Sequence, residues 1–460
     1  MKKNLVKAAS TALSLVLAMS LFAGCGTQKK TADPVGQKAA TAAPVKMETV
    51  TVWTNNASQK AEDEKMVSDF NSGPGKDKGI NIDYKIYGAD YSNVLKLALA
   101  ANEGPYLYKN LDLSYVNAGW AVPVEDLPGA KEWLKAYDGM LSNNMHVFKG
   151  KVYTVPYVIS TCAVAYNKDL LKKNGFNNPP KTWAEFKDMA RTITKNGNGK
   201  EFGYIEGLKS TGYSGWNGLF QYVPAVGHNG FNQITGKFEY SAFAPFYQML
   251  ADLRKEGCWF PGVEGLNNDQ ARAQFAEGNI GFKFSGSWDV GVWKEQFPAK
   301  MEWGWCRPGE SASGDPYKYY ANSAGALTVG PNSKQLPEKT FEVFKLWNSE
   351  SAQIALYEGG KQIPLKTDYV KKAKPTTIKN WADIADTSGA FLYSNGPAAD
   401  VTVEGDSKEI ALAKILTLTS PVKETLADLD KRYNAAFEKA KANGLDTQSY
   451  IEKSLNNKAK

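Results

Sequence analysis

Aromatic side chains, which can bind a ligand by stacking, are far more numerous in this sequence than histidines, which are common in catalytic and metal sites. It contains 12 Trp, 23 Tyr and 20 Phe but two His, His146 and His228. So few histidines exclude most histidine-based metal sites and catalytic triads. The motifs H-E-x-x-H, G-x-S-x-G and G-x-x-x-x-G-K-[ST] do not occur. Paired carboxylates have no fixed spacing in sequence, so a secreted glycoside hydrolase stays open as an alternative.

Three of the aromatic residues stand where a ligand ring could stack. Trp288 ends a short apolar segment, 284–288, whose small residues would let a ligand approach closely. Tyr213 and Trp216 lie in the glycine-rich segment 211–217, with no evident strand or helix to bury against. Aromatic platforms beside hydrogen-bonding groups suit a sugar, which has C–H faces and a rim of hydroxyls. The alternative for any aromatic residue is burial in a core. Helical spacing favours that alternative for three tryptophans: Trp133, Trp183 and Trp347.

The charge of the chain argues against a nucleic-acid partner. Its formal net charge is +7, and removal of residues 1–24, with Lys2, Lys3 and Lys7, lowers it to +4. A charge of this size, spread over more than 400 residues, is too small to indicate binding to the phosphate backbone of a nucleic acid. Five arginines are also few for bidentate phosphate recognition.

The first 25 residues have the pattern of a secretory signal. Three lysines precede an apolar stretch, Leu13 to Phe22, that is too short to span a membrane stably. The sequence Leu-Phe-Ala-Gly-Cys at 21–25 resembles the lipobox of bacterial lipoproteins, in which the cysteine becomes the acylated N-terminus. We therefore expect lipidation at Cys25 and a position on the outer face of the cytoplasmic membrane or in the periplasm. An ordinary signal peptide with a chance cysteine is the alternative.

The remaining cysteines, Cys162, Cys258 and Cys306, form no C-x-x-C pair. Three cysteines cannot make a closed disulfide framework. We interpret them as buried small apolar side chains, although the sequence also allows one bridge between two of them.

Length and periodicity predict an α/β protein with two lobes. About 415 folded residues are more than one hydrophobic core usually holds, so two lobes are expected. Residues 26–46 are too polar to fold, which indicates a flexible tether. A strand at 49–53, a helix at 58–70 and a strand at 80–86 make a βαβ unit with a parallel pair. Helices are predicted at 92–102, from the capping box Thr182-Trp-Ala-Glu185, at 336–347 and from Ser420. Short β segments between the helices, at 151–158, 280–284 and 326–329, favour open, doubly wound sheets.

Several motifs along the chain resemble the family 1 extracellular solute-binding proteins, the sugar-binding subunits of ATP-driven (ABC) importers, which include maltose-binding protein. The resemblance covers about residues 48–435. Its motifs are Gly119-Trp-Ala-Val-Pro123, Gly150-Lys151, Val155-Pro-Tyr157, Tyr166-Asn-Lys168, Pro180-Lys-Thr-Trp-Ala-Glu185, Gly278-Asn-Ile-Gly281 running into Ser285-Gly-Ser-Trp288, and Gly325-Ala-Leu-Thr-Val329. Each motif is weak alone, and their order and spacing carry the similarity.

The resemblance implies a two-lobed periplasmic-binding-protein-like fold of type II, with doubly wound sheets joined by hinge strands and the ligand between the lobes. The chain would cross near residues 157–161, 322–324 and 362–365. The implied segments are a signal at 1–24, the lipidated cysteine and tether at 25–46, an N-lobe of 47–156 and 325–364, and a C-lobe of 157–324 and 365–460.

The family also supplies expectations for the ligand site. Trp288 matches a stacking tryptophan, and Asp112 aligns with an acid that binds sugar hydroxyls, with a helix cap as its alternative. Asn322 lies at the second crossing, as a hinge hydrogen bond or a ligand contact. The expected set is Trp53, Asn55, Asp112, Tyr157, Tyr213, Trp216, Trp288, Asn322 and Gln362.

The chain departs from the family pattern in two places. Pro105-Tyr106 replaces the usual Pro-Asp after the second helix. The loop 195–200, where some relatives have an Asp-rich calcium loop, has no acidic residue before Glu201, so we expect no ion there.

The sequence thus predicts a protein that binds a neutral carbohydrate, an oligosaccharide rather than a monosaccharide, and that works with the permease subunits of an ABC importer. We expect a monomer with no enzymatic activity, no cofactor and no metal. A solute-binding protein for a peptide, a polyamine or a phosphate ester is the nearer alternative, ahead of the hydrolase.

Overall fold

The computed structural model describes residues 46–88, 90–209, 219, 226–309, 319–325, 327–387, 390–392 and 396–451. The expected signal, Cys25 and the expected tether up to residue 45 fall outside these residues, as do Tyr213 and Trp216. None of the described helices is long and apolar enough to cross a membrane.

The described strands and helices alternate along the chain. The strands are β1 Glu48–Thr54, β2 Ile80–Ile86, β3 Leu107–Tyr108, β4 Val147–Phe148, β5 Lys151–Val152, β6 Pro156–Asn167, β7 Phe202–Ile205, β8 Phe231–Asn232, β9 Lys237–Phe238, β10 Ile280–Gly286, β11 Trp303–Cys306, β12 Tyr319–Gly325, β13 Thr328–Val329, β14 Ile363–Pro364 and β15 Ala390–Leu392. The α-helices are α1 Lys60–Ser72, α2 Pro74–Lys78, α3 Tyr91–Ala100, α4 Leu113–Asn117, α5 Ala130–Leu134, α6 Lys168–Lys173, α7 Trp183–Gly197, α8 Ala244–Lys255, α9 Asn268–Ala276, α10 Asp289–Gly291, α11 Pro337–Trp347, α12 Glu350–Glu358, α13 Thr367–Lys372, α14 Trp381–Ala385, α15 Lys408–Leu416 and α16 Val422–Ala442.

A four-stranded sheet forms first, in the order β13-β3-β1-β2. β1 is parallel to both β2 and β3, with Val52 opposite Tyr84 on one side and Leu107 on the other. This confirms the predicted parallel βαβ unit. Because β1 and β3 run in the same direction, their carboxyl ends meet at one edge of the sheet, where α/β proteins place their ligands.

The second sheet is larger and mixed in direction. Its main order is β15-β12-β6-β10-β7, and β11 and β14 also pair with β6. β7 and β10 are parallel, whereas β6 is antiparallel to β10 and to β12. The predicted segment 151–158 is thus two strands, since β6 begins at Pro156 and continues to Asn167.

Each sheet packs on its own hydrophobic cluster. The first includes Val50, Val52, Tyr157, Val158 and Phe344. The second begins along the same strand, because Ile159 and Cys162 of β6 already belong to it. Its interior is strongly aromatic, and its buried rings include Trp183, Phe186, Tyr204, Phe284 and Trp381.

The helices show how far local rules hold. The α16 residues Val422, Leu426, Leu429 and Tyr433 are buried, as their spacing predicts. The start of α7 differs slightly from the predicted capping box. Thr182 Oγ1 accepts the Glu185 N–H at 3.1 Å, but Glu185 accepts from Lys181 N at 2.6 Å and not from the cap residue itself.

The cysteines and core tryptophans lie largely where they were predicted. Cys162, Cys258 and Cys306 are all buried, and the Cys306 thiol is directed at the Val164 carbonyl at 3.6 Å. Trp183 and Trp347 are buried, with 8% and 1% of their surface exposed. Trp133 is partly buried against the first cluster.

Close packing between α7 and β7 leaves no room for a side chain at Gly203. A Cβ there would lie 2.4 Å from the Ala190 carbonyl oxygen, a backbone atom that cannot rotate away. We expect Gly203→Ala to lower the free energy of unfolding by about 1–3 kcal/mol, since overpacking forces the helix from the strand. Gly265→Ala is the matched control, because nothing lies within 4 Å of the added methyl. Urea unfolding of both variants measures the difference, and equal midpoints would contradict this packing.

Candidate functional site

The carboxyl ends of β1 and β3 bring the first group of site residues together. Trp53 pairs with Tyr108, so the residues that follow each strand are neighbours. The Tyr91 hydroxyl donates to the carbonyl oxygens of both Trp53, at 3.0 Å, and Lys109, at 2.7 Å. One buried phenol from α3 therefore holds these two strand ends together.

Trp53 lies half-buried at this edge. Its ring centroid is 4.9 Å from that of Tyr87 at an interplanar angle of 51°. With Tyr87 and Trp120 it packs on a small cluster that includes Tyr91 and Tyr115. Part of an aromatic surface therefore stays open at the strand ends, as stacking requires.

A buried polar network fills the space behind this aromatic surface. Asp63, at the start of α1, is 2% exposed. Its Oδ2 accepts from the Tyr84 hydroxyl at 2.6 Å and from Gln59 Nε2 at 3.2 Å. Desolvation outweighs these bonds and raises the Asp63 pKa to about 6.

Gln59 joins this network to two predicted ligand contacts. Gln362 Nε2 donates to Gln59 Oε1 at 3.3 Å, and the buried Tyr157 hydroxyl also hydrogen-bonds the Gln59 side chain. Tyr157 and Gln362 come from separate crossings expected between the lobes, and the structure brings them together. Gln59 itself was not predicted, because a single glutamine before a helix has no distinguishing pattern.

Asn56 and Lys109 complete the group at the strand ends. Asn55, the predicted residue, is exposed, whereas its neighbour Asn56 is 9% exposed. Lys109 Nζ donates to Asn56 Oδ1. Lys109 directly follows β3 and Asn56 lies two residues after β1, and a position just after a parallel strand was the sequence signal that could have identified them.

Asp112 is the N-cap of α4, the alternative considered from sequence. Its Oδ1 accepts the N–H groups of Ser114 at 2.8 Å and Tyr115 at 3.2 Å. The Ser114 hydroxyl also donates to Oδ1. The described bonds therefore use one carboxylate oxygen, and a ligand contact by the other oxygen stays a prediction.

On the second sheet, Trp288 follows β10 and is half-buried against the larger core. A Cβ at position 286 would lie 2.5 Å from two carbons of its indole. The small residues before Trp288 were expected to make room for a ligand. At Gly286 the indole itself occupies that room.

A buried ion pair joins Glu206, which directly follows β7, to Lys283 in the middle of β10. Lys283 Nζ is 3.3 Å from Glu206 Oε1, and both side chains are 0% exposed. The Tyr204 hydroxyl donates to Glu206 Oε2 at 3.1 Å. Burial raises the Glu206 pKa despite these partners. The pair was not predicted, since strand β10 otherwise reads as apolar.

Lys361 connects the two halves of this region. Its ammonium lies 2.9 Å from Glu295, in the segment after Trp288, and 4.0 Å from Glu62 at the start of α1. Lys361 is 4% exposed and precedes Gln362 in the chain. Groups near Trp288 and near Asp63 therefore meet at one residue.

Three predicted residues cannot be placed as side chains. Tyr213 and Trp216 lie outside the described residues. Asn322 lies in β12, where its backbone pairs with Ser160 of β6. These remain predictions.

Comparison with known proteins identifies the family. The model of the bacterial extracellular solute-binding protein family matches residues 21–354, and the chain belongs to this family. The melibiose/raffinose/stachyose-binding protein MelE of Bacillus subtilis is 22% identical over 352 residues, which cover 75% of this chain and 78% of MelE.

Two solved structures show the same fold. The GacH receptor of Streptomyces glaucescens, studied unliganded and with acarbose, aligns with a TM-score of 0.65 and 18% identity over 85% of this chain and 98% of GacH. The cyclic α-maltosyl-1,6-maltose-binding protein of Arthrobacter globiformis gives 0.61 and 19% over 85% of this chain and 100% of its own. The fold is the two-lobed, type II fold of periplasmic binding proteins, as predicted.

The raised pKa of Asp63 predicts that the free energy of unfolding depends on pH. A carboxyl with a pKa near 6 when folded and near 3.9 when unfolded is more protonated in the folded state between these values. It therefore destabilises the fold as pH rises through 6, by up to about 3 kcal/mol. Asp63→Asn should gain free energy of unfolding, relative to the parent, between pH 4 and pH 7.5. Asp69→Asn, exposed on the same helix, is the control. Chemical unfolding across this pH range tests the prediction, and a difference that does not change with pH contradicts it.

Proposed function

We propose that this chain is an extracellular, lipid-anchored protein that binds a carbohydrate between its lobes and delivers it to an ABC importer. The observation that carries the proposal is the pairing of half-buried tryptophans, Trp53 and Trp288, with hydrogen-bonding groups at the strand ends. Aromatic faces bind the C–H faces of a sugar, and amides, carboxylates and an ammonium bind its hydroxyls. The relatives that bind melibiose, raffinose or acarbose support the same ligand class.

An oligosaccharide suits this arrangement better than a single ring. Trp53 belongs to the first sheet and Trp288 follows a strand of the second, so two platforms can serve different rings. Tyr213 and Trp216 are proposed as further platforms and Asn322 as a polar contact. The role is binding without catalysis, and no cofactor or metal is part of the proposal.

The proposed lobes are 47–156 with 325–364, and 157–324 with 365–460. The hydrophobic clusters support a division close to this one, because the buried residues of β6 change cluster between Val158 and Ile159, two residues beyond the proposed boundary. A ligand that touches both lobes would favour the closed state by hinge motion. The closed, monomeric protein would then be recognised by the permease.

Removal of the Trp288 indole tests the site. We expect Trp288→Ala to weaken oligosaccharide binding about tenfold, because stacking contributes on the order of 1 kcal/mol beyond burial. Trp347→Ala is the matched control, since that ring is 1% exposed in a core and its loss should cost about 3–5 kcal/mol of stability. Isothermal calorimetry and the unliganded melting temperature of both variants separate the two roles. Unchanged affinity with a large loss of stability would remove Trp288 from the site.

The ligand class is tested on the parent protein. A thermal-shift screen should show stabilisation by oligosaccharides without hydrolysis products. Stabilisation only by peptides, polyamines or phosphate esters would establish the nearer alternative, and hydrolysis would establish the enzyme.

Anchoring is tested at Cys25. We expect Cys25→Ser to release the protein from the membrane fraction or to leave an uncleaved precursor, because stable anchoring needs several acyl chains. Fractionation and immunoblotting of cells measure the outcome. A normally cleaved variant that still sediments with membranes would contradict lipidation.

A further inference from the structure

Lys109 is half-buried, and its partners differ from those of the two fully buried lysines among the described residues. Lys283 has Glu206 at 3.3 Å, and Lys361 has Glu295 at 2.9 Å. No carboxylate of the described residues forms an ion pair with Lys109. The hydrogen bond shown for its ammonium goes to a neutral amide, Asn56 Oδ1.

The acid that acts on Lys109 is otherwise engaged. Asp63 favours the charged ammonium through space, but its oxygens accept from Tyr84 and Gln59. Desolvation is the stronger influence and lowers the Lys109 pKa. A desolvated ammonium costs free energy unless hydrogen bonds or charges compensate it. An ammonium has three N–H donors, and the described contact with Asn56 uses one of them.

Lys109 lies at the sheet edge that forms the candidate site, where its remaining N–H groups could reach a ligand. It directly follows β3, at the edge where Trp53 of β1 pairs with Tyr108 and where Asn55 and Asn56 begin the next loop. Asn110, the next residue, donates instead to the Tyr115 hydroxyl at 2.9 Å, and its carbonyl accepts from Thr328 Oγ1 at 2.8 Å. The backbone around Lys109 is therefore fixed on both sides.

We propose that Lys109 is a ligand-binding residue whose ammonium donates to hydroxyl oxygens of the bound sugar, with Asn56 as the positioning residue. This inference rests on the proposed carbohydrate function. A charge-assisted hydrogen bond is about twice as strong as a neutral one, and closure over a ligand would bring sugar oxygens to the N–H groups that the described contact with Asn56 does not use.

The first test compares Lys109→Met with Lys65→Met, an exposed lysine on α1. We expect Lys109→Met to weaken binding of an oligosaccharide, identified with the parent protein, by about 10- to 100-fold. Its unliganded melting temperature should stay equal or rise, because a desolvated charge is removed. Lys65→Met should bind as the parent does. A lower melting temperature with unchanged affinity would overturn the proposal and make Lys109 structural.

A second variant supplies Lys109 with a charged partner. Asn56→Asp gives Lys109 a carboxylate partner, so we expect a higher unliganded melting temperature together with weaker binding, because the new ion pair competes with the sugar. Higher stability with unchanged affinity would overturn the proposal. If the parent protein binds no oligosaccharide at all, the proposed function fails first, and that result is distinct from failure of Lys109.

Discussion

The structure depends on one strand that takes part in both hydrophobic cores. β6 has 12 residues and pairs with β10, β11, β12 and β14. Its first buried residues, Tyr157 and Val158, pack in the first cluster, and from Ile159 onward it packs in the second. The strand therefore cannot move as a unit with either core alone. Any relative motion of the two cores must be absorbed within a few residues around Val158, and the polar network at Tyr157 lies directly beside that point.

The polar groups near this junction are arranged by sequence-distant partners. Asp63 and Gln59 come from the start of α1, Tyr84 from β2, and Gln362 from the segment before β14. The Lys361 ammonium forms ion pairs with the carboxylates of Glu62 and Glu295. Hydrogen bonds in such a low-dielectric environment are strong when complete and costly when broken. A change in any one partner therefore alters the environment of the others.

Much of the fold was predictable from the sequence, whereas much of the site was not. The alternation over 80–86 and the apolar spacing of α16 are local patterns, and the structure confirms both. The sheet edge that carries the site was less evident, because β3 has two residues, Leu107–Tyr108, and no strand was predicted there. Asp63 and Lys109 also look like surface residues of an ordinary helix and loop. Their burial results from elements that pack on them from elsewhere in the chain, which no local periodicity records.

Trp288 also shows that a local sequence pattern does not reveal contacts made by packing. Its segment was predicted as a strand that ends at Trp288, whereas β10 ends at Gly286 and Trp288 lies two residues beyond it. The role of Gly286, however, depends on which way the indole turns, and this follows from packing against the second core. Sequence-distant packing thus decides which predicted residues can reach a ligand.

The burial of the three cysteines has a practical consequence. Burial raises the pKa of the Cys258 and Cys306 thiols, and Cys162 lies in the core as well. Since the thiolate is the nucleophile, such groups react slowly with maleimides and iodoacetamides. In a form without Cys25, a cysteine introduced at the exposed position 55 would be the preferred point of attachment for an environment-sensitive dye. The native scaffold is thus suited to conversion into a reagentless fluorescent sensor without replacement of its internal cysteines.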